Sequence, residues 1–138
     1  MDLIQIIYAS SHNQMPPNAI RAMLQQASTA NQNNQISGFV CADNYYFLQA
    51  IEGDAYQVDK LFAAICNDTR HFNISLIKRR AIPQRDFAHW GMGAVLQLET
   101  HKHLLESVLP EPEFNPYQLD SLQSIALLKG FMNLKTLR

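Results

Sequence analysis

The stretch that decides the fold is ISGFVCADNYYFLQAIE, residues 36–52. ISGFVCA (36–42) and YYFLQAIE (45–52) are short runs rich in β-branched and aromatic residues, and Asp43-Asn44 between them is a turn signal. Two such runs joined by two polar residues form a β-hairpin. The returning strand carries an oddity. By the period of two, Phe47, Gln49 and Ile51 share one face, so a primary amide stands on an apolar face. Left unpaired there, it costs about 1–3 kcal/mol, so it needs a donor and an acceptor nearby.

Outward from the hairpin, the pattern alternates. Residues 2–8, DLIQIIY, read as a strand with Ile4, Ile6 and Tyr8 on one face. Pro16-Pro17 opens a helix, with Asn18 as a candidate cap. Its face is Ile20, Met23, Leu24 and Ala27, at i, i+3, i+4 and i+7. The amide run from Asn31 to Gln35 ends it. Val58, Leu61, Phe62 and Ile65 give the same spacing and predict a second helix over about 55–67. ISLIKRRAI (74–82) and HWGMGAVLQL (89–98) are strand-like. The order is β-α-β-β-α-β-β, an α+β, ferredoxin-like pattern with one added strand. Right-handed crossovers put both helices on one face of the sheet. Two further helices are predicted in the tail, over about 101–109 and 117–135, with Gly130 weakening or kinking the end of the second. They are expected to cover the face the first two leave open. This divides the chain into 1–98 and a helical extension, 99–138.

Composition narrows the function classes. A chain of 138 residues suits one domain. With 11 basic against 12 acidic residues there is no excess to neutralise phosphates, so nucleic acid is not an expected partner. No apolar run reaches the ~20 residues of a membrane span, and MDLIQIIYAS lacks the pattern of a signal peptide. Cys41 and Cys66 read as buried free thiols of a cytoplasmic protein.

Most chemistry is not indicated. There is no GxGxxG, P-loop or GxSxG motif. His101 and His103 are two apart, which points them away from each other on a helix, so they read as surface residues and no metal site is expected. Nothing places Cys41 beside His71 as nucleophile and base. Arg79, Arg80 and Arg85, with Asp86 among them, read as a solvated edge strand. What stands out is a set of polar or redox-capable residues at apolar places: Tyr8, Gln49, Asn31, and the pair Trp90 and Met92. In this topology the first strand and the returning hairpin strand are neighbours, which puts Tyr8 within hydrogen-bond reach of Gln49.

At these residues the chain resembles the BLUF family of flavin-dependent blue-light sensors. The matching pieces are LIQIIYAS, NQNNQISGFV, YYFLQAIEG, ICNDTRHFNI and RDFAHWGMG, which run in order through residues 3–93. The resemblance implies a flavin, FAD with FMN and riboflavin as alternatives, between the two sheet-packed helices. It implies that Met23 and Ile65 flank the ring and that Asn31 hydrogen-bonds its polar edge. It places Gln49 between flavin and Tyr8, and Asp68, Arg70 and His71 near the pyrimidine side and ribityl chain. Trp90 and Met92 match positions that exchange or change exposure on signalling. Light would drive reversible electron and proton transfer from Tyr8, and Gln49 would rearrange its hydrogen bonds by rotation or tautomerism. Ala30 and Ala64 stand where some relatives carry an asparagine and a basic residue, and Ala50-Ile51 replaces a more common valine-leucine.

The expectation is therefore a non-enzymatic photoreceptor, short and stand-alone, with no attached output domain and no catalytic residues. It would signal by contact with an unidentified downstream protein through its C-terminal helices, with self-association left open. The rivals are a light-blind ligand-binding module on the same scaffold and a small hydrolase using Arg70 and an asparagine.

Overall fold

A computed structural model describes residues 2–88, 92–109 and 113–136. The elements are β1 (Leu3–Ser11), α1 (Pro17–Asn33), β2 (Ser37–Ala42), β3 (Tyr46–Asp54), α2 (Ala55–Cys66), β4 (Phe72–Ala81), β5 (Gly93–Val95), α3 (Lys102–Val108) and α4 (Ser121–Thr136), with 3-10 turns at Leu98–Thr100 and Pro116–Gln118. The expected α+β, ferredoxin-like arrangement is what forms. The sheet runs β4-β1-β3-β2-β5. Strands β4, β1, β3 and β2 pair antiparallel with one another, and the short β5 pairs parallel to β2.

The hairpin closes on Asp43. Its Oδ1 accepts from the backbone N–H groups of Tyr45 and Tyr46 at 2.9 and 2.8 Å. A short carboxylate that bonds the backbone two and three residues on holds a turn in place. Gly38 on β2 is required by packing. A Cβ there would fall onto the Ala50 carbonyl oxygen and lie 3.1 Å from Met92 Cε.

Side-chain alternation splits the core in two. On one face, Ile4, Ile6, Tyr8 and Ile51 pack with Val58, Leu61, Phe62 and Ile65 of α2, and Val40, Ala42 and Phe47 pack with Ile20, Met23 and Leu24 of α1. On the other, Ile7, Phe39, Cys41, Leu48 and Ala50 meet Phe87 and Leu98, together with Leu105 of α3 and Leu127, Leu128 and Phe131 of α4.

Several expectations shift. The strand expected over 89–98 is only Gly93–Val95 in its described part. Gln97 takes a left-handed backbone (φ 58°) and turns the chain into a 3-10 turn, which sends Leu98 into the far-face core. Met92 consequently precedes the last strand instead of lying in it. The last helix begins at Ser121, not 117. Asp120 and Gln123 form a reciprocal capping box there, Gln123 N–H to Asp120 Oδ1 at 2.8 Å and Asp120 N–H to Gln123 Oε1 at 3.0 Å. Gly130 neither ends nor breaks α4. A Cβ on it would come within 3.3 Å of Leu104 Cδ1, so its smallness lets α3 approach. Pro16, not Asn18, is the cap position of α1, and Asn18 bonds Arg21. Cys66, the last residue of α2, is exposed. His101 is half-buried, its ring edge-on to Phe131 at 5.5 Å. Among the described residues no helix is long and apolar enough to cross a membrane.

Candidate functional site

Between α1, α2 and the sheet lies a cleft enclosing about 780 Å³, part of it open to solvent. Its walls are Met23, Leu24 and Ala27 from α1, Leu61, Ala64 and Ile65 from α2, and Val40 and Phe47 from the sheet. Its polar groups are few: Tyr8, Asn31, Gln49, Asp68, Arg70 and His71, with the Met92 thioether. Apolar walls with a handful of placed polar groups are the usual make-up of a cofactor site.

The β1–β3 ladder builds the centre. Tyr8 stands directly opposite Gln49, and opposed side chains in an antiparallel pair share a face. Both are buried, at 3% and 8% exposure, on the α1/α2 side. The Tyr8 hydroxyl donates to Gln49 Oε1. Burial, helped by Cys66 and Asp68 nearby, pushes the Tyr8 phenol far above its ordinary range, so it holds its proton. Gln49 Nε2 then donates to Met92 Sδ at 3.3 Å. A thioether is a weak acceptor. The amide thus has a firm bond on its tyrosine side and a poor one on its cleft side, which answers the requirement its strand position raised.

The mouth is built by the turn after α2. Arg70 Nε donates to Asp68 Oδ1 at 2.9 Å. That pairing holds the Asp68 carboxyl down at about 2 and raises Arg70. His71 is buried, with Nδ1 2.9 Å from Ser10 Oγ and its ring edge-on to Phe47 at 6.0 Å. Burial is the main cause lowering its pKa, so the imidazole is neutral. Asn31, in the last turn of α1, is 5% exposed.

Every site residue singled out from sequence and described here lines this one cleft: Tyr8, Met23, Asn31, Gln49, Ile65, Asp68, Arg70, His71 and Met92. Trp90 lies outside the described residues. Sequence reasoning did not single out Val40 or Phe47 as site residues; the available signals were the alternation of Phe47 with Gln49 along β3 and the place of Val40 opposite Gln49 in the hairpin. Nor did it find Ser10, the partner of His71. Cys41 sits in the far-face core, across the sheet from His71.

The residues present fit a flavin. A flat, three-ring heterocycle has apolar faces for Met23, Leu24 and Ile65 to cover. Its polar edge offers oxygen and nitrogen acceptors, stronger than the thioether to which Gln49 Nε2 donates, and Asn31 stands on the same cleft. Among the described residues no group of three or more His, Cys, Asp or Glu could hold a metal ion.

Comparison with known proteins agrees with this geometry. The family model for "BLUF: Sensors of blue-light using FAD" matches residues 3–93. The blue light- and temperature-regulated antirepressor BluF of Escherichia coli (strain K12) is 31% identical over 108 residues, a match covering 77% of this chain and 27% of that protein. The chain therefore spans about a quarter of the length of that relative. Among solved structures, BlsA in its photo-activated state superposes with a TM-score of 0.79 at 29% identity, covering 91% of each chain. The dark-state structure of BlrB, a BLUF protein, gives 0.76 at 26% identity over 97% of each.

Proposed function

The chain belongs to the BLUF family and senses blue light through a bound flavin, and on that premise we propose that Tyr8 and Gln49 are its photoactive pair. The observation that carries this is the hydrogen-bonded run from Tyr8 Oη through the Gln49 amide to Met92 Sδ, inside a cleft with apolar walls. When bound, a flavin would supply the absorption of blue light and a reversible acceptor for one electron and one proton, for which Tyr8 is the donor.

The chain's own residues do the rest. Tyr8 holds its proton at Oη and aims it at Gln49. Gln49 relays, because an amide is a donor at one end and an acceptor at the other, and rearranging it reverses the pattern it offers on each side. Asn31 fixes the polar edge of the ring, while Met23 and Ile65 cover its faces and exclude water. His71, neutral and tethered to Ser10, orients near the ribityl side with Asp68 and Arg70. Met92 gives up the Gln49 Nε2 donor, and Trp90 is the partner position in that exchange.

FAD is the proposed cofactor, with FMN and riboflavin as the alternatives. The only full cation lining the described cleft is Arg70, already paired with Asp68, so the charge at the mouth does little to select a phosphate tail. Residues 1–98 form the flavin-binding unit and 99–138 a helical extension whose α4 packs against β2, β3 and β5. The protein is a cytoplasmic sensor without turnover of its own. It signals by protein–protein contact through the extension, to a protein partner and not to nucleic acid or a membrane, and self-association is compatible with this.

The test is optical. Purified protein should be yellow, and blue light should move its visible band slightly to longer wavelength, with recovery in the dark. Protein that stays colourless and takes up no added flavin would overturn the proposal.

A further inference from the structure

Three residues beyond Gln49 on β3, and on the opposite face of the sheet, sits Glu52. It is fully buried, and no part of the cleft touches it. A buried carboxylate is costly unless its oxygens are satisfied. Here they are satisfied mainly by backbone. Oε1 accepts from Phe87 N–H at 2.8 Å, and Oε2 accepts from Asp86 N–H at 3.1 Å and from Gln5 Nε2 at 2.7 Å. Arg85 Nη1 adds a bond to the Glu52 carbonyl oxygen at 2.8 Å. The photoactive strand thus grips the segment 85–87 by both side chain and main chain.

That segment is what α4 rests on. The Phe87 ring is fully buried in one cluster with Leu127, Leu128 and Phe131 of α4. The Asp86 carboxylate takes Lys129 of α4 at 3.1 Å and Arg80 of β4 at 3.0 Å. Arg80 in turn donates to Gln5 Oε1 at 2.9 Å, which closes the network back onto β1, three residues from Tyr8. One connected set of polar groups therefore joins both strands of the photoactive pair to the C-terminal helix.

We infer that Glu52 is a positioning residue that carries the state of the Tyr8–Gln49 pair to α4 through the backbone of Asp86 and Phe87. The inference rests on the photochemistry proposed above and names how its result leaves the cleft. A strand shift at Gln49 moves Glu52 with it, because the two are on one short stretch of extended chain. The two N–H groups follow the carboxylate, and the seat of Phe87 and the Asp86–Lys129 contact change together. The Asp86–Lys129 pair is partly exposed, where ion pairs add little stability; its role here is to report position.

The experiment compares flavin-loaded wild type with Glu52→Gln, by hydrogen exchange of the α4 amides in the dark and under steady blue light, with the visible spectrum recorded on the same samples. An amide at 52 keeps one acceptor oxygen but turns its NH2 toward the donors Asp86 N–H and Gln5 Nε2, so the side-chain grip is broken while the Arg85 bond to the carbonyl oxygen stays. Wild type should exchange faster in α4 when lit. Glu52→Gln should keep the flavin and the red-shifted band yet lose the light-dependent part of α4 exchange. A wild-type light response of α4 in Glu52→Gln overturns the inference, and so does wild-type α4 that ignores light while the band shifts normally. Flavin-bound wild type with no band shift is a different result, which overturns the photochemistry itself and this inference with it. If Glu52→Gln does not fold, Glu52→Asp, which draws the carboxylate back from the Phe87 and Asp86 N–H groups while keeping its charge, decides in its place by the same criterion.

Discussion

Tyr8 and Gln49 face each other across the central β1–β3 ladder, and the phenol donates to the amide oxygen. The register of two strands thus makes the pair, and removing either partner tests it without touching the backbone. Gln49→Leu should still bind flavin, because the apolar walls remain, but should show no light-induced red shift. Tyr8→Phe removes one hydroxyl and leaves the ring packed on Phe62 (centroids 5.5 Å apart). It should fold normally and lose the productive photocycle. Absorption difference spectra of the two variants check both, and a normal shift in either removes that residue from the mechanism.

Much of this was legible in the sequence, for local reasons. Period-two runs and the Asp43-Asn44 turn gave the hairpin, and the 3.6-residue period gave both cleft helices. Once the strand order was known, Tyr8 beside Gln49 followed. What stayed hidden is non-local. Gln5, Glu52, Arg80 and Lys129 come from four separate elements and Asp86 from the loop after β4, and no spacing along the chain announces that they meet. Arg85 read as part of a solvated edge, yet it clamps the carbonyl oxygens of Gln35 and Glu52 and the Ser37 hydroxyl. The shortness of β5 was hidden too, because a left-handed backbone at Gln97 depends on where Leu98 finds its core. The Asp120–Gln123 capping box is local, and its spacing alone marks the start of α4.

Gly38→Ala should destabilise the fold by more than about 2 kcal/mol, since the new methyl group meets a carbonyl oxygen in the middle of a sheet and no flexible side chain can yield. It also crowds Met92 Cε. Urea unfolding should show the loss, and whatever folded fraction remains should have an altered light-state band. Stability equal to wild type would mean that the β2–β3 approach is looser than described.

Phe131 is fully buried in the far-face core, remote from the cleft. Phe131→Ala should cost about 3–5 kcal/mol, the usual range for emptying an aromatic site. The dark-state flavin spectrum of the protein that remains folded should be unchanged. Calorimetry and absorption together separate the two effects. A large spectral change would show that α4 shapes the cleft in the dark as well as receiving its signal.

Stability should also depend on pH through two histidines. Met15 N–H donates to His12 Nδ1 at 3.0 Å, so Nε2 carries the proton and donates to the Asp43 carbonyl oxygen at 2.9 Å. A second proton on Nδ1 would face that N–H. Burial, the largest cause, lowers the pKa of His12 and likewise of His71. Below about 6.5, the ordinary histidine value, the unfolded chain binds protons that the fold refuses, so these two groups reduce stability as pH falls. Glu52 and Asp43, both raised by burial, act with the opposite sign: their contribution is present at low pH and lost as pH rises through their folded values. Total stability therefore mixes both signs, and a difference measurement isolates one. His12→Asn cannot take up a proton. Its unfolding free energy, measured by urea between pH 7.5 and about 5.5, should fall less steeply with acid than that of wild type. Equal slopes would show that His12 charges freely in the fold, against the tautomer its two backbone partners impose.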